Sequence, residues 1–241
     1  MKKWIYRILL LICLGVFCFS AFNLYKIFQK QHQVDQEVET LKENIKVDNG
    51  YQVDWDSLKA SNPDIVAWIY VPDCNINFPV VQTSDNDYYL NHSFSGEYND
   101  LGAIFLAAEN KSDFSDQNSV IYGHSVEGIG GMFTDLKNYD DQTFFNEHTT
   151  IYLFTPDGNY KGNVLAFAQA EDGSEFYALS YENSDEHIQK IKSLSEYTND
   201  ISTDGHLLTL STCNLNYGLY SLQRYVLVTV LEPTDEPIVI E

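Results

Sequence analysis

Apolar side chains fall into three regimes along the chain. From Ile8 to Phe28 they run almost unbroken with Lys26 the sole charge, and 21 residues at about 1.5 Å each rise roughly 31 Å, enough to cross a hydrocarbon core. From Gln29 to Val47 the chain turns polar but keeps Val34, Val38, Leu41 and Ile45 at spacings of four, three and four. That stripe predicts a helix, whether a stalk, a short coiled coil or a helix packed on the following domain. Asp48-Asn49-Gly50 breaks it, and Asp54 is placed to cap a short helix from Trp55 to Ala60 that ends before Asn62-Pro63. Beyond that point the period becomes that of strands. Ala67–Val71, Phe78–Gln82, Ala103–Leu106, Ser119–Tyr122, Thr150–Phe154, Asn163–Gln169, His206–Ser211 and Arg224–Leu231 are short β-branched or aromatic runs separated by Gly, Asn, Asp and Pro. Eight such runs predict a mostly β domain closed, or nearly closed, into a barrel. The one long insertion lies between Phe167 and His206, where Ser184-Asp185-Glu186 is placed to cap a helix carrying Ile188, Ile191 and Leu194. A shorter helix is expected over Asp141 to His148 with Phe144 and Phe145 in the core, and the acidic tail after Glu232 is expected to fray.

The flanks of the first run decide how it is read. Lys2, Lys3, Arg7 and the amino terminus outnumber Lys26 and Lys30, which places the N-terminus in the cytoplasm and the rest outside. A secretory signal peptide shares the basic start. However, the run is longer than an ordinary h-region, no A-x-A-like site closes it, and Ile12 and Phe17 precede Cys13 and Cys18 where a lipoprotein box needs small residues. The reading favoured is an uncleaved anchor. The expected organisation is a cytoplasmic tail (1–7), a transmembrane helix (8–28), a helical stalk or N-terminal helix (29–54), a barrel domain (55–232) and an acidic tail (233–241). Only Cys74 and Cys213 lie beyond the span, so one bridge is conceivable and a disulfide scaffold is excluded.

Charge narrows the function. The chain of 241 residues has 14 basic and 35 acidic side chains and a net charge of -21; with 44% hydrophobic residues it holds enough apolar material for one packed domain. Residues 1–50 hold seven basic and five acidic side chains, which leaves the remainder near -23. Such a surface repels phosphate backbones and lacks a basic stripe, which excludes nucleic-acid binding. No CxxC, HExxH or calcium loop is present, and Gly128-Ile129-Gly130-Gly131 lacks the lysine and the strand-to-helix context of a phosphate loop.

A thiol remains. Cys213 stands where the strand begun at His206 leaves the sheet; its plain reading is a buried core cysteine, and a nucleophile would need a local cation to oppose the acidic field. Arg224, the only arginine beyond residue 7, falls 11 residues later at the start of the next strand, which would lie antiparallel to the first. The plain reading of Arg224 is a surface ion pair. His124 ends another strand just after Gly123, whereas His206 lies about 23 Å up the Cys213 strand at roughly 3.3 Å per residue, too far to pair with it. His32, His148 and His187 read as polar surface residues, and His92 is harder to dismiss. A redox pair of Cys74 with Cys213, a tethered binding domain with an inert thiol, and a papain-like peptidase are the rivals. The last conflicts with the strand before Cys213 and with the order His before Cys.

The same three residues carry a family resemblance. Thr209-Leu-Ser-Thr-Cys213 resembles the active-site TLxTC of sortases, Tyr122-Gly-His124 their catalytic histidine segment, and Arg224-Tyr-Val-Leu-Val their arginine strand, in the same order. Ala67-Trp-Ile-Tyr-Val-Pro72, Phe78-Pro-Val-Val-Gln82 and Asp85-Asn-Asp-Tyr-Tyr-Leu90 extend the likeness over about residues 55 to 231, and the inserted helix resembles class B. No Asp-Pro-aromatic lid or second span marks the pilin-polymerising class C, and Leu215 stands where some class B members carry Asp. The resemblance implies an eight-stranded sortase barrel and a cysteine transpeptidase without cofactor or metal. It implies Cys213 as nucleophile, Arg224 as oxyanion binder and His124 as acid and base. Asn86, Leu90 and Ser211 are implied to line the motif pocket, with Phe176 to Leu194 as its wall. The implied partners are a surface protein with a C-terminal sorting motif and an amine, either of a lipid-linked peptidoglycan precursor or of a pilin lysine. The implied location is the cell membrane.

Overall fold

The computed structural model describes residues 2–46, 52–126, 128, 130–235 and 238. Helix α1, Lys2–Lys42, is continuous across the boundary expected at residue 28. Its side chains from Trp4 to Phe28 are largely exposed, and the helix is long and apolar enough to span a membrane. Val34, Val38 and Leu41 are buried, so of the three readings of the stripe the packed helix is the one adopted. Ile45 leaves that stripe: it begins β1 (Ile45–Lys46), which pairs antiparallel with β2 (Gln52–Val53), so the segment up to residue 54 is not helical throughout. The Asp48-Asn49-Gly50 break lies outside the described residues. Helix α2, Trp55–Ser61, is capped by Asp54, whose carboxylate accepts from the Ser57 amide at 3.1 Å, and it buries Leu58.

The barrel comprises β3 (Ile65–Val71), β4 (Ile76–Val81), β5 (Phe105–Leu106), β6 (Asn118–Tyr122), β7 (Thr150–Thr155), β8 (Gly158–Glu171), β10 (His206–Cys213) and β11 (Gln223–Thr234). Their order is β11-β10-β6-β5-β4-β3-β7-β8, and antiparallel pairing of β8 with β11 closes the ring of eight, as expected. The pairs β4/β5 and β6/β10 are parallel, and the short β9 (Tyr197–Thr198) adds to the side of β8. Strand β11 runs past the expected end to Thr234, opposite Asn159, and Ile238 is buried, so this part of the tail is not frayed.

Strand β11 reads as a continuous apolar run because both of its faces are covered. Tyr225 and Leu227 point into the main core with Trp68, Phe154 and Phe167, whereas Val226, Val228 and Val230 meet a second cluster beneath helix α4, Ser184–Leu194. Asn183, not Ser184-Asp185-Glu186, caps α4, because its side-chain oxygen accepts from the Asp185 and Glu186 amides. Ile188 and Ile191 are buried there, but Leu194 is exposed. His187, expected at the surface, is instead buried, stacks on Tyr181 and reaches Glu175 Oε1 at 3.1 Å. Helix α3, Gln142–Glu147, buries Phe145 but leaves Phe144 half-buried, stacked on His148.

Candidate active site

Strand register assembles the site. In the antiparallel pair β10/β11, Cys213 lies directly opposite Arg224, so both side chains leave the same face with their Cβ atoms about 5 Å apart. In the parallel pair β6/β10, Tyr122 is level with Ser211, and the Gly123 amide continues the ladder to the Ser211 carbonyl at 3.1 Å. His124 and Cys213 each follow that level by two residues and line one cleft. Gly123 permits the exit of the chain, because a Cβ there would stand 2.8 Å from Cγ of Phe133.

All six residues singled out in the sequence, Asn86, Leu90, His124, Ser211, Cys213 and Arg224, line one cleft of about 390 Å³. The Nε2–H of His124 donates to the Leu90 carbonyl at 2.8 Å, because that oxygen only accepts, and the proton is thereby fixed on Nε2. Arg224 is tied in three directions. Its Nη1 donates to the carbonyls of Ser221 (2.8 Å) and Gln223 (3.1 Å), and its Nη2 to Asp172 Oδ2 (3.1 Å). Both amide ends of Asn86 are engaged, its oxygen by the Ala108 amide at 2.8 Å and its nitrogen by Glu109 at 2.9 Å, which holds the Glu109 carboxyl below its ordinary range. Ser211 is buried, and its hydroxyl shares a 2.8 Å hydrogen bond with that of Tyr177.

From the segment Phe176 to Leu194, expected to wall the pocket, Tyr177 hydrogen-bonds Ser211 and stacks on Tyr122, both of which line the cleft; Asp172, four residues before that segment, lines the cleft as well. The sequence reasoning missed Asp172; the available signal was that a lone guanidinium among thirty acids must find a partner. It missed Tyr122 as a wall as well. Burial, with Asp172 and Glu109 nearby, pushes the Tyr122 phenol up to about 12 against the opposing pull of Arg224, so it faces the cleft as a neutral donor.

The remaining candidates separate from this cleft. Cys74 and Cys213 are both free thiols, which removes the bridge and the redox pair. Cys74 lies in the β3–β4 turn, at a different cavity of about 890 Å³ between α1 and the barrel. His92 donates from Nδ1 to the Tyr88 carbonyl at 2.7 Å and stacks on that ring, a structural duty. Among the described residues no group of three or more His, Cys, Asp or Glu is arranged to hold a metal. A thiol, an imidazole of fixed tautomer and a tethered guanidinium around one opening suit acyl transfer through a thioester.

Comparison with known proteins agrees with this chemistry. The sequence model of the Sortase domain matches residues 69–232. Sortase B of Listeria monocytogenes is 32% identical over 227 residues, covering 88% of this chain and 91% of that protein. The crystal structure of sortase B from Bacillus anthracis in complex with AAEK2 superposes with a TM-score of 0.73 at 27% identity, covering 86% of this chain and 98% of the other. A class B sortase from Streptococcus pyogenes, described as involved in pilus biogenesis, superposes at 0.67 with 31% identity over 75% of this chain and 98% of its own. With the TLSTC strand, the histidine and the arginine in one cleft of a closed eight-stranded barrel, the chain belongs to the sortase family of cysteine transpeptidases and is most similar to its class B members.

Proposed function

We propose that the chain is a membrane-anchored transpeptidase that joins a surface protein, cut within its C-terminal sorting motif, to an amine of a lipid-linked cell-wall precursor. The observation that carries the site assignment is the convergence of Cys213, His124 and Arg224 on one cleft through strand register. The Cys213 thiol gives its proton to Nδ1 of His124, the sulfur attacks the scissile carbonyl carbon, a C–S bond forms, and the guanidinium of Arg224 takes up the charge on the oxygen. The C–N bond then breaks, and His124 supplies the proton carried off by the leaving amine. In the second half the acceptor amine attacks the thioester, His124 takes its proton, the new C–N bond forms and the thiolate departs. No cofactor is needed. Asn86, Leu90 and Ser211 border the same opening and are assigned to the motif, with the Leu90 side chain partly exposed to receive an apolar residue.

The exposed apolar stretch of α1 supports the anchor, and the basic residues before it support a cytoplasmic N-terminus with the barrel outside. Donor and acceptor held at the same membrane would then share its two-dimensional space with the enzyme, which raises their effective concentration. The pilus role of the Streptococcus pyogenes relative supports a second acceptor, a pilin lysine. Intact-mass measurement of the full chain in detergent with a panel of sorting-motif peptides, beside Cys213→Ala, tests the reading. An acyl adduct on the wild type alone is the expected result. Adding a cross-bridge amine or a lysine peptide then shows which one discharges it. Absence of any adduct, with Cys213 unreactive toward an alkylator in the native state, refutes the assignment and leaves a tethered binding domain.

A further inference from the structure

We propose that Gly102 is a positioning residue for His124, and that the turn carrying it is braced from outside by α1, so that the anchor helix has a second duty in catalysis. Among the described residues the His124 imidazole is held by one side-chain hydrogen bond, from Nε2–H to the Leu90 carbonyl, which leaves Nδ1 for the reacting proton. Gly102 packs against both partners of that bond. A Cβ at this position would stand 2.5 Å from the Tyr89 carbonyl oxygen, 2.9 Å from that of Leu90 and 3.0 Å from Cδ2 of His124, on a backbone with φ of +63°. Only a residue without a side chain lets the Leu90 carbonyl and the ring approach each other here.

The turn itself is fastened to α1. The Gly102 amide donates to the Asn99 carbonyl at 2.9 Å; Asn99 is fully buried and its side-chain oxygen accepts from the Leu101 amide at 3.1 Å. The Asn99 side-chain nitrogen donates to the Lys30 carbonyl of α1 at 3.2 Å, and the Lys30 ammonium pairs with Asp100. The same contact continues along the helix: about two turns on, Glu37 accepts from the Ser95 amide and hydroxyl at 3.3 and 3.1 Å, and one turn back, Ile27 lines a small cavity together with Leu101. The second segment around His124 touches α1 as well. A Cβ on Gly131 would lie 2.9 Å from Nε2 of Gln31, and two residues later the Phe133 amide donates to the His124 carbonyl at 3.0 Å. The turn that backs the imidazole and the segment that holds the His124 backbone thus both rest on residues 30–37, directly after the apolar run ends.

The inference deepens the catalytic assignment of His124 and rests on it, but its spectroscopic test does not. Full-length protein with 15N-labelled histidine in lipid nanodiscs is compared with Gly102→Ala and, in case that variant does not fold, with Asn99→Ser, which removes the donor to Lys30 without touching the cleft. The wild type is expected to show His124 as the Nε2–H tautomer. Either folded variant is expected to show a mixture of tautomers, with kcat for peptide transfer lowered about tenfold or more and KM for the motif peptide unchanged, since a displacement near 1 Å suffices. A folded Gly102→Ala protein with the wild-type tautomer signal and kcat overturns the positioning role, and the same result for Asn99→Ser overturns the brace. Should the wild type turn over no peptide, the tautomer signals still decide this inference, and only the transpeptidase reading falls.

Discussion

Native-state alkylation of the two barrel cysteines separates a nucleophile from a structural thiol within one molecule. Cys74 is the internal control. Burial first, then the carboxylates of Asp135 and Asp73, push its thiol from an ordinary 9.0 up to about 12. Only the thiolate reacts. At pH 8 an ordinary thiol is ionised in about one molecule in ten and Cys74 in about one in ten thousand, so Cys74 is expected to react with iodoacetamide about a thousandfold more slowly than a model thiol. The rate at Cys74 should climb about tenfold per pH unit without levelling off near pH 9. Cys213, half-buried at the mouth of the cleft, is expected to be labelled at pH 8 while Cys74 is not. Peptide mapping by mass spectrometry after timed labelling distinguishes them. Equal rates at the two sites, or a plateau for Cys74 near pH 9, would refute the argument from burial and charge. The same shift is a statement about stability. Below pH 9 the Cys74 proton is bound in both folded and unfolded chains; as the pH rises from 9 toward 12 the unfolded chain releases it first, and up to about 4 kcal/mol is lost over that window. Cys74→Ala should abolish that alkaline limb in chemical denaturation while leaving transfer activity near that of the wild type.

Arg224→Lys should lower kcat/KM at least about tenfold in steady-state peptide transfer, because an ammonium cannot reproduce a planar fork tied to Ser221, Gln223 and Asp172; unchanged kinetics would show that charge alone suffices. Asn214, fully buried one residue after Cys213, donates to Gln169 at 2.8 Å and accepts from the Asn216 amide at 3.1 Å, so Asn214→Ala should cost about 1–3 kcal/mol in urea unfolding. Gly123→Ala drives a Cβ into the ring of Phe133 and toward Ile104, and should cost about 1–3 kcal/mol while reducing activity through the displaced His124.

The eight barrel strands were legible because each is a short apolar run between turn residues, and the α1 stripe because Val34, Val38 and Leu41 keep helical spacing. Ile45 continued that spacing and misled, since one residue in phase does not reveal that the helix has already ended at Lys42. Leu194 did the same at the end of α4. His187 was misplaced for a different reason: a polar side chain is buried when a ring and a carboxylate meet it, and Tyr181 and Glu175 come from a neighbouring loop that no local pattern connects to α4. In the cleft, the residues carried by motifs were visible, whereas Asp172 and the Gly102 contact depend on distance in space. Asp172 lies 52 residues before Arg224, and it reaches the guanidinium because β8 and β11 pair with Ala170 opposite Arg224. Gly102 is one of 13 glycines, and nothing in its neighbours announces that a Cβ there would meet His124.

The accuracy of the site follows from the way the barrel forbids slippage. A shift of one residue between β10 and β11 would turn Arg224 away from Cys213, and it would also turn Tyr225 and Leu227 out of the main core while pressing Val226, Val228 and Val230 into it. Both clusters are closed, one inside the ring and one under α4, so neither accepts the exchange without cavities and overpacking that cost several times the thermal energy. In a domain near -23 the thiol has one guanidinium within reach, and that guanidinium is already shared with Asp172. With so little positive charge available, proximity must supply what charge does not, and the two-sided burial of β11 is what holds the cation opposite the sulfur.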